Sequence, residues 1–171
     1  MIIKDLEKRD FVVFSLIAIA SFVSIGLLAS LDQFLDNPYL IASFGATAVL
    51  IYGAPDAPFS KPRNVFFGHL FSAIIGVTVS FIFVKCGYME ELRWLACAIS
   101  VSLAIIVMKI TNTVHPPGGA TALTCAMCGF ATVEYIIRPI MLGIIVMMII
   151  AYDVNILRGC LITDMSEPNG Q

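Results

Sequence analysis

The chain has 171 residues, of which 59% are hydrophobic and 13% carry a charge. Soluble domains average about 25% charged residues, so this composition and a mean hydropathy of +0.94 exclude an ordinary soluble enzyme and predict an integral membrane protein. The net charge of −2 provides no basic surface for nucleic acid, and we exclude nucleic-acid binding.

Long and short hydrophobic segments follow one another along the chain. Residues 11–31 contain no charge and, at about 1.5 Å per residue, are long enough to cross a hydrocarbon core of roughly 30 Å. Asn37-Pro38 and a proline-rich polar stretch enclose the next segment, which is short. The pattern predicts four long helices and two short ones, and the six segments are 11–31, 39–52, 65–84, 94–113, 118–130 and 139–157.

One sequence of four residues occurs twice. Gly45-Ala46-Thr47-Ala48 and Gly119-Ala120-Thr121-Ala122 are identical and lie in the two short segments. Each copy has proline upstream, and Arg63 and Arg138 each stand beside a proline before the closing span of their half. We therefore predict an all-α membrane protein, a helical bundle of two sequence-related halves at about 11–84 and 94–157. Each half is a span, a short broken helix and a span within a single domain, 1–171.

The orientation of the halves depends on whether the short helices cross the membrane. If both cross, the repeats are inverted, and if both are re-entrant, the repeats are parallel. Positive charge does not decide between them, because either arrangement leaves three cationic residues outside when the N-terminus is inside. We expect six hydrophobic helices and leave the crossing of the short ones open.

Broken helices at membrane depth predict a binding site, because unpaired backbone groups are tolerated there only where they line a cavity. Pro116 and Pro117 must end the preceding helix. The N-termini of the two short helices would face each other and direct free N–H groups and their positive dipole ends at an anion. The candidate anion-binding residues are Ser43, Gly45, Thr47, His115, Gly118, Gly119 and Thr121, with Arg63 and His69 as candidates for the pathway or its gate.

The small residues of the two repeated strings can be interpreted in a second way, as packing positions instead of a binding site. Gly-Ala-Thr-Ala is also typical of close packing between membrane helices, and Gly68, Gly76 and Ser80 suit such packing in the third segment. His115 could cap loop carbonyls, and Arg63 could anchor the polar stretch instead of attracting anions.

Four strings resemble the HPP family of integral membrane proteins, which is named for its His-Pro-Pro. They are His115-Pro116-Pro117, Ser43-Phe44-Gly45-Ala46, Pro62-Arg63-Asn64 and Gly68-His69, within roughly 37–123. Members are usually described with four membrane helices, and plant and cyanobacterial relatives are associated with nitrite transport. The resemblance thus implies a small inorganic anion as the substrate.

Our leading hypothesis is a transporter or channel for a small monovalent anion of the nitrite type, without enzyme activity, cofactor or metal. A homo-oligomer is expected because so small a bundle encloses a pathway with difficulty. A short leader with acidic residues is unlike a transit peptide and favours the bacterial cytoplasmic (inner) membrane. The alternatives are a ligand-sensing scaffold without transport and an intramembrane metal enzyme that would use His69, His115, Cys125, Cys128 and Asp153.

Overall fold

The structure, a computed structural model, describes residues 8–35, 40–129 and 132–166. Within these ranges the chain is helical and has no strand, which confirms the predicted all-α membrane protein. The proline break expected at Asn37-Pro38 lies outside the described residues. The helices are α1 Lys8–Leu35, α2 Ala42–Ala48, α3 Pro62–Lys85, α4 Arg93–Ile110, α5 Pro116–Cys128, α6 Val133–Tyr135 and α7 Leu142–Ser166.

Four segments of the described chain are long and apolar enough to span a membrane: Arg9–Phe34, Pro62–Lys85, Arg93–Ile110 and Val133–Leu161. The last of these combines α6, a π-helical turn at Ile136–Met141 and α7. Two short helices complete the bundle. One is α2, which continues as a π-helix to Gly53, and the other is α5, with 13 residues. The predicted division into four long and two short helices is therefore confirmed.

Proline and glycine set the bounds of α5. His115 precedes the helix in extended conformation (φ −140°, ψ 103°), as the residue before a proline prefers, and two prolines occupy the first helical positions. Gly129 ends the helix with φ +67°, a left-handed conformation that glycine adopts without a steric cost. The predicted restart of the helix at the His-Pro-Pro string is thus observed.

Two predicted spans are ended or interrupted in the structure by a residue outside helical geometry. The span expected to reach residue 113 ends at Ile110, because Asn112 takes a left-handed conformation (φ 53°) and an extended segment follows. The last span was expected to begin at Pro139. Helix already starts at Val133, is interrupted at Arg138 (φ −126°, ψ 119°) and becomes regular at Leu142.

The α3 helix lies at the centre, against α4, α5 and the start of the last span. It packs on α5 through small residues: a Cβ on Gly76 would lie 2.6 Å from the Ala122 carbonyl oxygen. A Cβ on Gly118 would lie 2.8 Å from the Gly68 carbonyl oxygen. Close approach of this kind replaces the hydrophobic effect between helices in lipid. The packing role predicted for Gly68 and Gly76 is confirmed.

The two short helices run side by side in opposite directions. Ser43 at the start of α2 bonds to Thr121 in the second turn of α5, and Thr47 one turn later lies against His115 before α5 begins. An inverted relation between the two halves requires this antiparallel placement. The internal repeat itself stays a prediction.

An apolar core beside these helices fixes α2 against α7. Phe44 is wholly buried, and its ring occupies the space where Gly143 has no side chain: a Cβ there would lie 2.5 Å from Cζ of Phe44. One turn further along α7, Met147 accepts a hydrogen bond at its carbonyl from the Tyr52 hydroxyl, at 3.2 Å. The apolar contacts leave one polar face of α2, which points toward α3 and α5.

Candidate functional site

Five polar side chains are wholly buried where α2, α3 and α5 meet. They are Ser43, Thr47, His69, His115 and Thr121, each with 0% of its surface exposed, and together we call them the polar cluster. Both histidines of the chain belong to it. Polar groups inside a membrane bundle are expensive unless they find partners, and ionisable ones mark functional sites by default.

His69 is held between two equivalent threonines. Thr47 Oγ1 lies 2.9 Å from its Nε2, and Thr121 Oγ1 lies 2.7 Å from its Nδ1. Each threonine is the third residue of a Gly-Ala-Thr-Ala copy. The duplicated sequence therefore places one hydroxyl on each edge of a single imidazole.

His115 connects the polar cluster to the surface. Its Nδ1 donates to the carbonyl oxygen of Phe59 at 2.8 Å, and Phe59 is 40% exposed in the connector between α2 and α3, residues 54–61. Its Nε2 lies 3.3 Å from Thr47 Oγ1. The ring centroids of the two histidines are 5.0 Å apart, so the imidazoles share a hydroxyl neighbour and lie within aromatic contact distance of each other.

Ser43 completes the polar cluster on the side away from His115. Thr121 Oγ1 donates to Ser43 Oγ at 2.9 Å, and Thr47 Oγ1 lies 2.9 Å from the Ser43 carbonyl oxygen, one turn back along α2. Because Ser43 and Thr47 are four residues apart, both face the same side of the helix. The hydrogen bonds form an unbroken series from the connector to the first turn of α2.

Gly68 has no side chain, which leaves room for His115 to pack directly against α3. A Cβ on Gly68 would lie 2.7 Å from Cβ of His115 and 3.2 Å from the Thr113 carbonyl oxygen. The edge of Phe44 closes the apolar side, with its centroid 6.3 Å from that of His69 and an interplanar angle of 67°. Backbone spacing and an aromatic wall thus hold both imidazoles in place.

The transmembrane-region model of the HPP family matches residues 7–160. The chain belongs to the HPP family. Two transmembrane proteins of Dictyostelium discoideum are similar to it. One is 41% identical over 144 residues, which cover 80% of this chain and 45% of the relative. The other is 42% identical over 147 residues, which cover 80% of this chain and 50% of the relative. The chain spans about half the length of these curated relatives, and no solved structure matches it.

This HPP protein brings together four of the seven predicted anion-binding residues: Ser43, Thr47, His115 and Thr121. They surround His69, which the sequence analysis had named only as a candidate for the pathway or its gate. The glycines lie elsewhere. Gly45 is exposed on another face of α2 and Gly119 is half-buried, and a Cβ at either would meet nothing within 4 Å. Gly118 packs on α3, and its N–H donates to the His115 carbonyl oxygen at 2.9 Å. Arg63 is exposed and donates to the Thr111 carbonyl oxygen at 3.1 Å.

The helix N-termini do not face each other, although the sequence led us to expect this. The helices α2 and α5 overlap side by side in opposite directions. In the first turn of α5 two prolines carry no N–H, and Gly118 N–H bonds to the His115 carbonyl oxygen. Side chains occupy the shared centre in place of backbone amides. The hydroxyls of Thr47 on α2 and Thr121 on α5 both point at His69 on α3.

The cysteines and Asp153 of the alternative metal site do not join the two neighbouring histidines in this HPP protein. Cys125 is buried in the α3–α5 contact, whereas Asp153 is exposed on α7. In the part of the chain that the structure describes, no group of three or more His, Cys, Asp or Glu side chains could hold a metal ion. The polar cluster is therefore the chemistry-bearing site we consider.

Sequence reasoning missed one functional group, the Phe59 carbonyl oxygen that fixes the His115 ring. Every residue has a carbonyl, so the sequence contains no signal for this contact. A weak indication was the proline-rich connector, in which Pro58–Ser60 form one turn of 3-10 helix instead of an α-helix.

Proposed function

We propose that this HPP-family protein transports a small monovalent inorganic anion, of the nitrite type, and that the polar cluster is its binding site. The observation that carries the proposal is the burial of His69 between Thr47 and Thr121 inside an otherwise apolar bundle. Intramembrane ionisable residues typically mark ion pathways. The resemblance to nitrite-associated relatives points to the same class of substrate.

The chemistry of the polar cluster suits an anion better than a cation. Its five side chains offer three hydroxyls and two imidazoles, all able to donate hydrogen bonds, and none is a carboxylate. A proton on either imidazole would make the site cationic in a medium of low dielectric, where attraction for one negative charge is strong. Nitrite, with two acceptor oxygens and a single charge, fits such a set of donors.

The anion enters when hydrogen bonds of the polar cluster open. In the present arrangement its side chains bond directly to one another, so a bound anion takes the place of at least one such contact. The α3–α5 contact is held by close backbone approach, whereas α2 meets these helices through hydrogen bonds. Movement of α2 relative to α3 and α5 is therefore the step that admits and releases the anion.

The proposal includes that the protein forms a homo-oligomer in the bacterial cytoplasmic membrane. The outer face of α2 presents small exposed residues, Ala42, Gly45 and Ala46, beside Val49, which is 70% exposed. Small surfaces allow helices of neighbouring copies to approach closely. A second copy on this face would surround the moving helix with protein as well as lipid.

Uptake into proteoliposomes tests the proposal. Nitrite uptake is measured near pH 8, where little permeant nitrous acid exists, with protein-free liposomes subtracted. We expect Thr121→Val to lower uptake at least tenfold. Thr124→Val is the matched control, since among the described residues the Thr124 hydroxyl bonds to the Ala120 carbonyl oxygen of its own helix and not to the polar cluster. Nitrate, formate and chloride in the same assay define selectivity. Equal uptake by both variants contradicts the site, and ligand binding without uptake favours a sensing scaffold.

A further inference from the structure

Three adjoining cavities form one groove along α7. Their volumes are about 310, 370 and 390 Å³, in order from the middle of α7 toward its end. Pro62, Met148 and Tyr152 border both the first and the second cavity. Pro55 and Asn155 border both the second and the third. We call this continuous depression the α7 groove.

One face of α7 forms one wall of the α7 groove. The residues that line it recur at intervals of three and four positions, as residues on one helical face do, and they are Ile145, Met148, Ile149, Tyr152, Asn155 and Ile156. The opposite wall comes from the π-helix after α2, the connector and the start of α3. Segments far apart in the sequence therefore enclose the groove.

The inner part of the α7 groove is apolar. Ile51 and Val65 lie across from the isoleucines and methionine of α7. The one hydroxyl in this lining is already bonded, since Ser60 donates to the Ala54 carbonyl oxygen at 2.7 Å. Such walls suit a hydrocarbon chain, which has no hydrogen-bonding group to satisfy.

The outer part of the α7 groove carries one charge of each sign. Asp56 in the connector and Arg158 on α7 line the third cavity, with Asn155 between the apolar and the polar part. Asp56 is exposed and Arg158 is half-buried. No ion pair joins the two, or links either to another side chain that the structure describes. The mouth of the groove is therefore complementary to a ligand that carries both a negative and a positive group.

The α7 groove lies where the membrane changes from hydrocarbon to headgroups. The last span, Val133–Leu161, has 29 residues and is about 43 Å long, which exceeds a hydrocarbon core of roughly 30 Å. Tyr152 is 68% exposed, as suits an aromatic ring at the interface. Arg158 follows Ile145 by 13 residues, about 20 Å along the helix. This length accommodates a headgroup and the first part of an acyl chain.

We propose that the α7 groove is a binding site for a membrane phospholipid with an ethanolamine headgroup. One acyl chain lies in the apolar inner part. The phosphate accepts hydrogen bonds from the guanidinium of Arg158, a charge-assisted contact that arginine makes well. The primary ammonium group donates to the carboxylate of Asp56.

The carboxylate of Asp56 makes the site selective among headgroups. The quaternary nitrogen of a choline headgroup has no proton to donate, so it cannot form the hydrogen bond that an ethanolamine ammonium forms. A glycerol headgroup has no cation, and its phosphate would lie beside the Asp56 carboxylate without compensation. The α7 groove shares no residue with the polar cluster. The lipid site therefore goes beyond the proposed transport function and does not depend on it.

Quenching of tryptophan fluorescence by brominated lipids tests the site where it lies. Trp94→Phe removes the one tryptophan of the chain, and Tyr152→Trp places a reporter in the α7 groove. The protein is reconstituted in equal parts of ethanolamine, choline and glycerol phospholipids, of which one at a time carries bromine on its acyl chains. We expect the ethanolamine lipid to bind about threefold more tightly than either of the others, the size of one exposed ion pair.

A reporter at Tyr88 is the matched control. Tyr88 is 54% exposed and lies beyond the other end of α3, outside the α7 groove. There Tyr88→Trp should be quenched equally by the three lipids. Equal quenching at position 152 overturns the proposal. The same ethanolamine preference at both positions also overturns it, because it would show general enrichment of this lipid around the protein.

Two charge variants assign the headgroup contacts. In the Tyr152→Trp protein, Asp56→Asn should abolish the preference for ethanolamine over choline. Arg158→Gln should weaken quenching by phospholipids relative to brominated diacylglycerol, which has no phosphate. Asp153→Asn, on an exposed residue of α7 that does not line the groove, should leave both unchanged. If Arg158→Gln fails to fold, Asp56→Asn still decides. A preference that persists in Asp56→Asn contradicts the site.

Native mass spectrometry of the purified full chain identifies the occupant. A bound mass equal to an ethanolamine phospholipid, reduced in Asp56→Asn and retained in Asp153→Asn, supports the proposal. A dimer that carries no lipid, together with loss of quenching at position 152, would show that a second copy of this chain fills the α7 groove. That result overturns the lipid site.

Discussion

The Thr47 hydroxyl stands between two buried imidazoles, 2.9 Å from Nε2 of His69 and 3.3 Å from Nε2 of His115. Each ring directs its Nε2 at this oxygen, and the two ring planes are tilted by 56° to each other. One proton on one hydroxyl cannot serve both imidazoles.

Transport of a monovalent anion without a coupled ion predicts that its accumulation follows the membrane potential. A lone anion moving through 100 mV gains or loses about 2.3 kcal/mol, roughly a fiftyfold change in its accumulation ratio. An anion that moves with one proton carries no net charge, and accumulation then follows the pH gradient alone. The measurement is nitrite accumulation in vesicles clamped with potassium and valinomycin. Accumulation that does not respond to the potential at constant pH would contradict transport without a coupled ion.

The α3–α5 contact predicts that Gly76→Ala destabilises the protein. The added methyl group would lie 2.6 Å from both the Ala122 carbonyl oxygen and Cβ of Cys125, so the helices must separate. Overpacking of this kind costs about 1–3 kcal/mol. Thermal unfolding in detergent measures the loss. Gly26→Ala is the control, since its methyl group meets nothing within 4 Å, and a loss of stability as large there would contradict the explanation.

Phe44 and Gly143 are in contact, so the effects of substituting them on the free energy of unfolding should not be additive. Gly143→Ala alone drives a methyl group into the Phe44 ring, and we expect a loss of about 1–3 kcal/mol. Combined with Phe44→Leu, which vacates ring space, the alanine should cost less than it does alone. A double-mutant cycle by chemical unfolding gives the coupling free energy. Strict additivity would show that the ring does not occupy the glycine site.

Cys86 and Cys160 should react from opposite sides of the membrane. Cys86 follows the end of α3, and Cys160 lies near the end of α7, which runs antiparallel to α3: residues near the start of α3 and the end of α7 line one cavity. Both thiols are exposed. Variants that keep one of these cysteines are labelled in oriented vesicles with a membrane-impermeant maleimide. Labelling of both from one side would overturn the arrangement of the spans.

Local sequence was sufficient to predict most of the helices. Long apolar stretches predicted four spans, and the prolines beside His115 predicted the restart of α5. Gly68 and Gly76 were assigned to close packing, which the structure confirms. The bounds near Asn112 and Arg138 were less accurate, because a single residue outside helical geometry ended or interrupted a helix there.

The candidate site was only partly predictable. Thr47 and Gly45 lie in the same short, mostly apolar helix, yet Thr47 is wholly buried and Gly45 is exposed. A helix that is apolar nearly all round does not reveal which side faces its neighbours. The sequence therefore named both residues, and it ranked His69 as a pathway residue although the structure places it at the centre.

The sequence by itself determined that the chain is a membrane protein, where its helices break, and which small and polar residues could meet, because hydrophobic length, proline and glycine act locally. The tertiary structure decided that the short helices overlap in opposite directions and that two histidines share one threonine. Those contacts join residues 22 to 78 positions apart. Their geometry arises only when α2, α3 and α5 pack together, and no local preference of the chain specifies it.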